Sequence, residues 1–359
     1  MQNGTDSFSN QIINDLLLNN DLPHHLLYLQ YKNAGPSLLL LLPAILLNLI
    51  GIPGITGNLF LIYVTIKDKK LRGPTNYLLA LTAFFEILHQ SAHFLFLFVA
   101  VTGINLINYS TALIFQLHSI FGVAAVQILF VSTAADRLFS FLIPFKYVKL
   151  NIRPYLGFHL FLAISGGIWM SIKALNVAYK YPTIPVTGHI SDLFVLDLDI
   201  IFAFFMYLSI LNVIIYIFVW ISVRYLNSGN TESIISTNNQ SNLLKSLIVI
   251  VSIVIGGYII NSICLKFIIP LFNLNDIQIW FCGAIGGILI NIGASSETPI
   301  LYIFSNIYRE AFNKQLKQLF CKKFQNNKII ISPGNVNYIG GMLSSKVIYV
   351  NKTKQATKK

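Results

Sequence analysis

The chain has 359 residues, 55% of them hydrophobic and only 11% charged, with a formal net charge of +12. Soluble domains carry about 25% charged residues, so this composition excludes an ordinary soluble domain and points to a polytopic membrane protein. The basic excess is not read as a nucleic-acid footprint, because it follows the ends of apolar segments instead of gathering in one patch.

Residues 1–35 are polar and rich in Asn and Asp, with no basic stretch leading into a short apolar core. They predict no secretory signal peptide, and the first apolar run is expected to act as its own insertion signal. A bilayer core needs about 20 apolar residues per helix. Seven runs meet that length: 38–66, 77–101, 111–142, 155–178, 193–223, 247–271 and 277–304. Backbone groups in lipid must be satisfied within the segment, so each run is expected to be a helix. The fold class is therefore all-α: a seven-transmembrane helix bundle, with an outer segment at 1–37 and the bundle at 38–304.

The charges orient it. With the N-terminus outside, the inner segments 67–72, 136–153, 224–245 and 305–359 hold 21 of the 25 Lys and Arg residues. The remaining four are Lys32, Lys173, Lys180 and Lys266. The positive-inside rule then gives an extracellular N-terminus, a cytoplasmic C-terminus and a multi-pass plasma-membrane protein. Sequons at Asn3 and Asn108 fall on the outer side, the first being the stronger glycosylation site because Asn108 lies near the membrane. Two further sequons, at Asn239 and Asn351, fall on the inner side, so the pattern alone is weak.

Inside the runs, polar residues stand out. Gly57-Asn58 puts a small residue and an amide in the first run, suited to close helix approach and cross-helix hydrogen bonding. Glu86 lies mid-span in the second run, where a carboxylate needs a counter-ion, water or a bound proton. His89, Gln90 and His93 follow it in the outer half. His89 and His93 share a face at i, i+4, but no third metal ligand is evident, and hydrogen-bonded helix contacts are the preferred reading over a metal site. Gln116 and His118 lie at pocket depth in the third run, which ends on Asp136-Arg137. The acids Asp192, Asp197 and Asp199 gather before the fifth run, either as an attractor for a cationic ligand or as a solvated rim. The seventh run carries Glu297-Thr298-Pro299-Ile300-Leu301-Tyr302, whose proline removes a backbone hydrogen bond and predicts a kink above Tyr302.

After the last run, Tyr308, Ala311, Phe312, Leu316, Leu319 and Phe320 recur at helical spacing beside Arg309, Lys314 and Lys317. Residues 305–324 therefore predict an amphipathic helix on the inner membrane surface. Cys321 is either a palmitoylation site or an unmodified thiol. The basic tail 325–359 is expected to be disordered.

Taken together, Gly57-Asn58, the acid Glu86, Asp136-Arg137, and Pro299-x-x-Tyr302 followed by an amphipathic helix resemble rhodopsin-like G-protein-coupled receptors. More narrowly, the chain resembles the nematode serpentine chemoreceptors of the Srsx class. The likeness rests on Leu81–Gln90 with His93, Gln116 with Phe121-Gly122, and Asp136-Arg137-Leu138-Phe139-Ser140 before Pro144-Phe145-Lys146-Tyr147. It runs from about residue 54 to 320. The resemblance implies a non-enzymatic, most plausibly chemosensory receptor that passes an extracellular small-molecule or peptide signal to a heterotrimeric G protein. It implies no cofactor and no nucleic-acid partner. It also implies that Asp136 holds Arg137 at rest, that Pro299 and Tyr302 belong to the switch, and that Asn58, Glu86 and Thr298 form a buried polar network.

The chain departs from the family pattern. Its cysteines, Cys264, Cys282 and Cys321, include none at the two places where the usual loop disulfide forms, so no disulfide is expected and the second outer loop must be held otherwise. Leu138, Glu86 and Thr298 replace the usual Tyr, Asp and Asn, and no Cys-Trp-x-Pro occurs in the sixth run. A neuropeptide receptor of the same fold is the near alternative. A seven-helix transporter or channel is the distant one, opposed by the small number of mid-span acids.

Overall fold

In a computed structural model, residues 25–227, 234–272 and 274–326 are described. A short α1 (His25–Tyr31) precedes α2 (Leu38–Lys67), which runs through Pro43 and Pro53 without interruption. The expected second span is broken at Ser91 into α3 (Pro74–Gln90) and α4 (Ala92–Thr102), where the Ser91 hydroxyl donates to Leu88 O at 2.7 Å. Its side chain thus competes locally with the helix ladder.

Next come β1 (Ile107–Asn108), α5 (Tyr109–Leu142), the short α6 (Pro144–Val148), α7 (Ile152–Lys180) and β2 (Pro185–Val186). A 3₁₀ segment, Ile190–Asp197, leads into α8 (Leu198–Asn227). Then α9 (Ile234–Ile263) passes through a π-helical turn, Cys264–Ile268, into α10 (Ile269–Phe272). The last two helices are α11 (Asp276–Phe304) and α12 (Asn306–Asn326). α11 starts on a capping box, in which Asn275 and Gln278 each accept the other's backbone N–H at 3.0 Å.

Six of these helical stretches are long and apolar enough to cross a membrane: 38–67, 74–102, 109–142, 152–180, 200–222 and 276–304. In the expected sixth span, the apolar helix described is the shorter stretch Ile248–Ile263. Large apolar side chains cover the outside of the bundle; Ile114, for example, is 76% exposed. Only an apolar solvent makes such a surface stable, and the chain is a multi-pass membrane protein.

The interior is held by close contacts and buried amides. Asn48 donates to Ala44 O and His93 O at 2.9 Å each, tying α2 to α4. Asn291 donates to Leu47 O at 2.8 Å and Ser295 to Ile50 O at 3.1 Å, tying α11 to α2. At Gly122 a Cβ would lie 2.8 Å from Phe85 O and 3.0 Å from His89 N, so α5 meets the backbone of α3 directly.

The chain divides into two compact units, 1–315 and 316–359. In the first, Tyr308, Ala311 and Phe312 of α12 are buried, matching the expected apolar face. In the second, Leu316 and Leu319 are exposed. The side chains of Phe320 and Cys321, the residues 327–359, Asn3 and the side chains of Asp197 and Asp199 lie outside what is described. Cys264 and Cys282 are free thiols and partly exposed.

Candidate functional site

A polar network pins the loop between α7 and α8. β2 pairs antiparallel with β1, Ile107 opposite Val186 and Asn108 opposite Pro185. Tyr109 N–H donates to Ile184 O at 2.8 Å, and the Tyr109 hydroxyl reaches Leu193 O at 2.8 Å. Gln116 Nε2 donates to Gly188 O at 2.6 Å and Ala92 O at 3.3 Å. Asp192 Oδ2 accepts from Thr187 N at 2.8 Å and Thr187 Oγ1 at 2.6 Å, while its Oδ1 accepts from Trp280 Nε1 at 3.2 Å. Asp192 is buried at 3% exposure, which corrects its reading as part of a solvated or ligand-attracting rim. Asn108, the sequon residue, is exposed and serves as N-cap of α5.

Under this loop is a cavity of about 120 Å³. His89, His93 and His189 form one wall, and Phe194, Phe205 and Tyr258 supply much of the apolar remainder. The imidazoles form a file: His89 and His93 ring centroids are 6.1 Å apart, and His93 and His189 are 6.4 Å apart. His89 Nδ1 meets Glu86 Oε2 at 3.0 Å, and His189 Nδ1 meets the Ser191 hydroxyl. Both ring nitrogens of His93 and Nε2 of His189 are buried without a hydrogen-bond partner. Burial holds the His189 imidazole below its ordinary pKa. Among the described residues no cluster of three or more His, Cys, Asp or Glu side chains forms a metal site.

Of the residues singled out at this depth, His89 and His93 line the cavity. Gln90 instead donates to Ser295 Oγ at 3.3 Å, Gln116 pins the loop, and His118 meets the Ser91 hydroxyl at 2.7 Å across the α3–α4 break. His189 carries no sequence signal, since it sits in a loop with no periodicity; the β1–β2 pairing and the Gln116 bond to Gly188 O hold that loop in place.

Deeper in the bundle, Asn58 Nδ2 donates to Ala294 O at 3.4 Å. Glu86 and Glu297 are fully buried, and neither Glu297 oxygen nor Thr298 Oγ1 has a hydrogen-bond partner. Gly57 packs on Thr298, with a Cβ there falling 3.2 Å from Thr298 Cβ. The helix continues through Pro299 to Phe304. Tyr302 is 38% exposed, donates to Asn313 Oδ1 at 3.2 Å and stacks on Phe312 with centroids 6.2 Å apart.

At the far end of α5, Asp136 is fully buried and crowded by hydroxyls. Oδ1 accepts from Tyr147 at 2.9 Å and Tyr155 at 3.1 Å, and Oδ2 accepts from Thr75 Oγ1. Arg137 Nη2 stands 3.7 Å from Oδ2, beyond hydrogen-bonding range, and its buried Nε has no partner. Burial and the neighbouring Asp136 push the Tyr147 hydroxyl up to about 12, so it stays a donor at physiological pH. Tyr147 was legible through its place after Pro144, whereas Tyr155 carried no sequence signal. Nearby, Asp68 accepts from Lys70 N at 3.0 Å and from Lys314 Nζ at 2.9 Å, and these two donors hold its carboxyl below the usual range.

No curated protein matches the chain. The family model described as serpentine type 7TM GPCR chemoreceptor Srsx matches residues 51–316. That match spans most of the chain, including the cavity wall, the buried acids and the Asp136 cluster, and the chain belongs to the Srsx family of serpentine seven-transmembrane chemoreceptors.

Proposed function

We propose that this receptor takes an extracellular ligand into the cavity beneath the second outer loop and passes the signal to a heterotrimeric G protein at the Asp136 end. The N-terminus is outside, the stretch around Ile248–Ile263 completes the seventh crossing, and α12 lies along the inner leaflet with its basic residues near anionic headgroups. Residues 1–37 form the outer segment and 325–359 the inner tail.

One observation carries the reading: α5 joins both sites. Val123 lines the cavity and Asp136 sits further along the same helix, about 20 Å away at 1.5 Å per residue. A ligand that favours one packing of α5 against α3 and α8 shifts the population in which Arg137 is available at the other end. Arg137 is poised for this, since the three hydroxyls occupy Asp136 and leave the guanidinium loosely held. Pro299 and Tyr302 place a second adjustable element on α11, next to Asn58, Glu86 and Thr298.

The test is a calcium reporter in cells co-expressing a promiscuous G protein, with a panel of small odorants and neuropeptides and Arg137→Ala as control. A ligand response abolished by Arg137→Ala at equal surface level supports the proposal. A response that survives the substitution, or solute flux without G-protein activation, overturns it.

A further inference from the structure

The wall of the cavity is chemically particular. Its polar lining is three imidazoles with Ser191, Tyr258, Asn261 and Ser262, and no Lys, Arg, Asp or Glu lines it among the described residues. His93 and His189 line the cavity, are 3% and 1% exposed, and carry buried ring nitrogens without a hydrogen-bond partner. At pH 7 an ordinary imidazole is neutral and offers one N–H donor and one bare nitrogen acceptor. Stacked at 26°, the two rings therefore present a donor and an acceptor side by side.

We propose that the ligand is a small carboxylic acid, whose carbonyl and hydroxyl oxygens complement the donor and acceptor nitrogens of His93 and His189 while its alkyl group fills the apolar remainder. This rests on the cavity being the ligand site. An apolar cavity of about 150 Å³ takes the six heavy atoms of a benzene ring, so a volume of about 120 Å³ suits an acid of about five heavy atoms.

The surrounding charges agree. An alkylammonium finds no carboxylate on the wall: Glu86 is turned to His89, and Asp192 is occupied by Thr187 and Trp280. Glu297 lies deeper, Tyr258 is a neutral phenol, and His118 faces Ser91. On the wall itself a free carboxylate would likewise meet no cation, Lys266 Nζ lying over the Phe202 ring, 5.7 Å from its centroid. The acid therefore binds together with one proton, shared between the carboxyl and the facing imidazole. Carboxyl groups titrate near pH 4.3 in water, so at pH 7 that proton comes from the bulk and binding weakens as pH rises.

The experiment uses the full chain in lipid nanodiscs and four matched probes: propanoic acid, 1-propanol, propylamine and butane. Between pH 6 and 7.5 the Kd of the acid should rise about tenfold per unit, while that of the alcohol stays flat. At pH 6 the acid should bind at least about tenfold tighter than the alcohol. In His93→Phe and His189→Phe the slope should disappear while the alcohol binds within about threefold of wild type. Should either variant misfold, calorimetry of the wild type in two buffers of different ionisation enthalpy decides: uptake of about one proton per acid supports the proposal. No binding of the acid, a pH-independent Kd, zero proton uptake, or equal or better binding of the alcohol overturns it. An acid that binds as described without activating a G protein would refute the signalling reading alone; a response to other ligands with no acid binding would refute this inference alone.

Discussion

Replacing Asp192 should unfasten the second outer loop. The carboxylate accepts three hydrogen bonds, from Thr187 N–H, Thr187 Oγ1 and Trp280 Nε1. In Asp192→Ala the threonine hydroxyl is free to turn, but the Thr187 amide and the Trp280 indole N–H remain buried without acceptors. At about 1–3 kcal/mol per stranded donor, the loss is about 4 kcal/mol. For a chain of this size that corresponds to a fall in Tm of about 5 °C, measured by thermal unfolding of the purified receptor in nanodiscs. Trp280→Phe keeps the ring and removes one of the three bonds, so a double-mutant cycle with Asp192→Ala should show a coupling of about 1–2 kcal/mol. A Tm change below about 1 °C in both Asp192→Ala and Asp192→Lys would refute the reasoning, and would return Asp192 to a solvated rim.

Gly122→Ala should lower Tm by several degrees, because the new Cβ meets the α3 backbone at 2.8 and 3.0 Å and overpacking of this kind costs about 1–3 kcal/mol. Gly157→Ala is its matched control: nothing lies within 4 Å, and loss of a helical glycine should stabilise by about 0.5–1 kcal/mol. Asp68 has a depressed pKa in the folded chain, so its contribution is present above the unfolded value near 3.9 and is lost as pH falls through the folded one. The Tm difference between wild type and Asp68→Asn should accordingly be constant from pH 5 to 8 and shrink below about pH 4.

The spans could be read from the sequence because lipid imposes length and composition on each segment separately. The bulky apolar exterior and the buried polar residues Asn58, Glu86 and Asp136 follow from those same local rules. What the sequence concealed is non-local. Asp192 sits near Asp197 and Asp199 along the chain and so resembles a rim, yet its partner Trp280 lies 88 positions away. His189 enters the cavity wall on a loop held by the β1–β2 pairing, a two-residue ladder too short to leave a periodic signal, and by the bond from Gln116 to Gly188 O, 72 positions apart. Ser91 interrupts a run whose composition alone reads as one helix, through a bond from its hydroxyl to Leu88 O. Pro43 and Pro53 illustrate the reverse, since α2 runs on through two residues whose local chemistry favours a break.

The central claim is that Arg137 is the group released for signalling and Asp136 the group that restrains it. Ligand-independent calcium signal, measured with a promiscuous G protein and normalised to surface label, tests this without knowledge of the ligand. Asp136→Asn removes the charge facing Arg137 while its amide oxygen still accepts from the Tyr147 and Tyr155 hydroxyls and its amide nitrogen donates to the Thr75 oxygen. The account predicts a basal signal above wild type in Asp136→Asn and a return to background when Arg137→Ala is added. A signal in Asp136→Asn at or below wild type, or one that persists without Arg137, would contradict it.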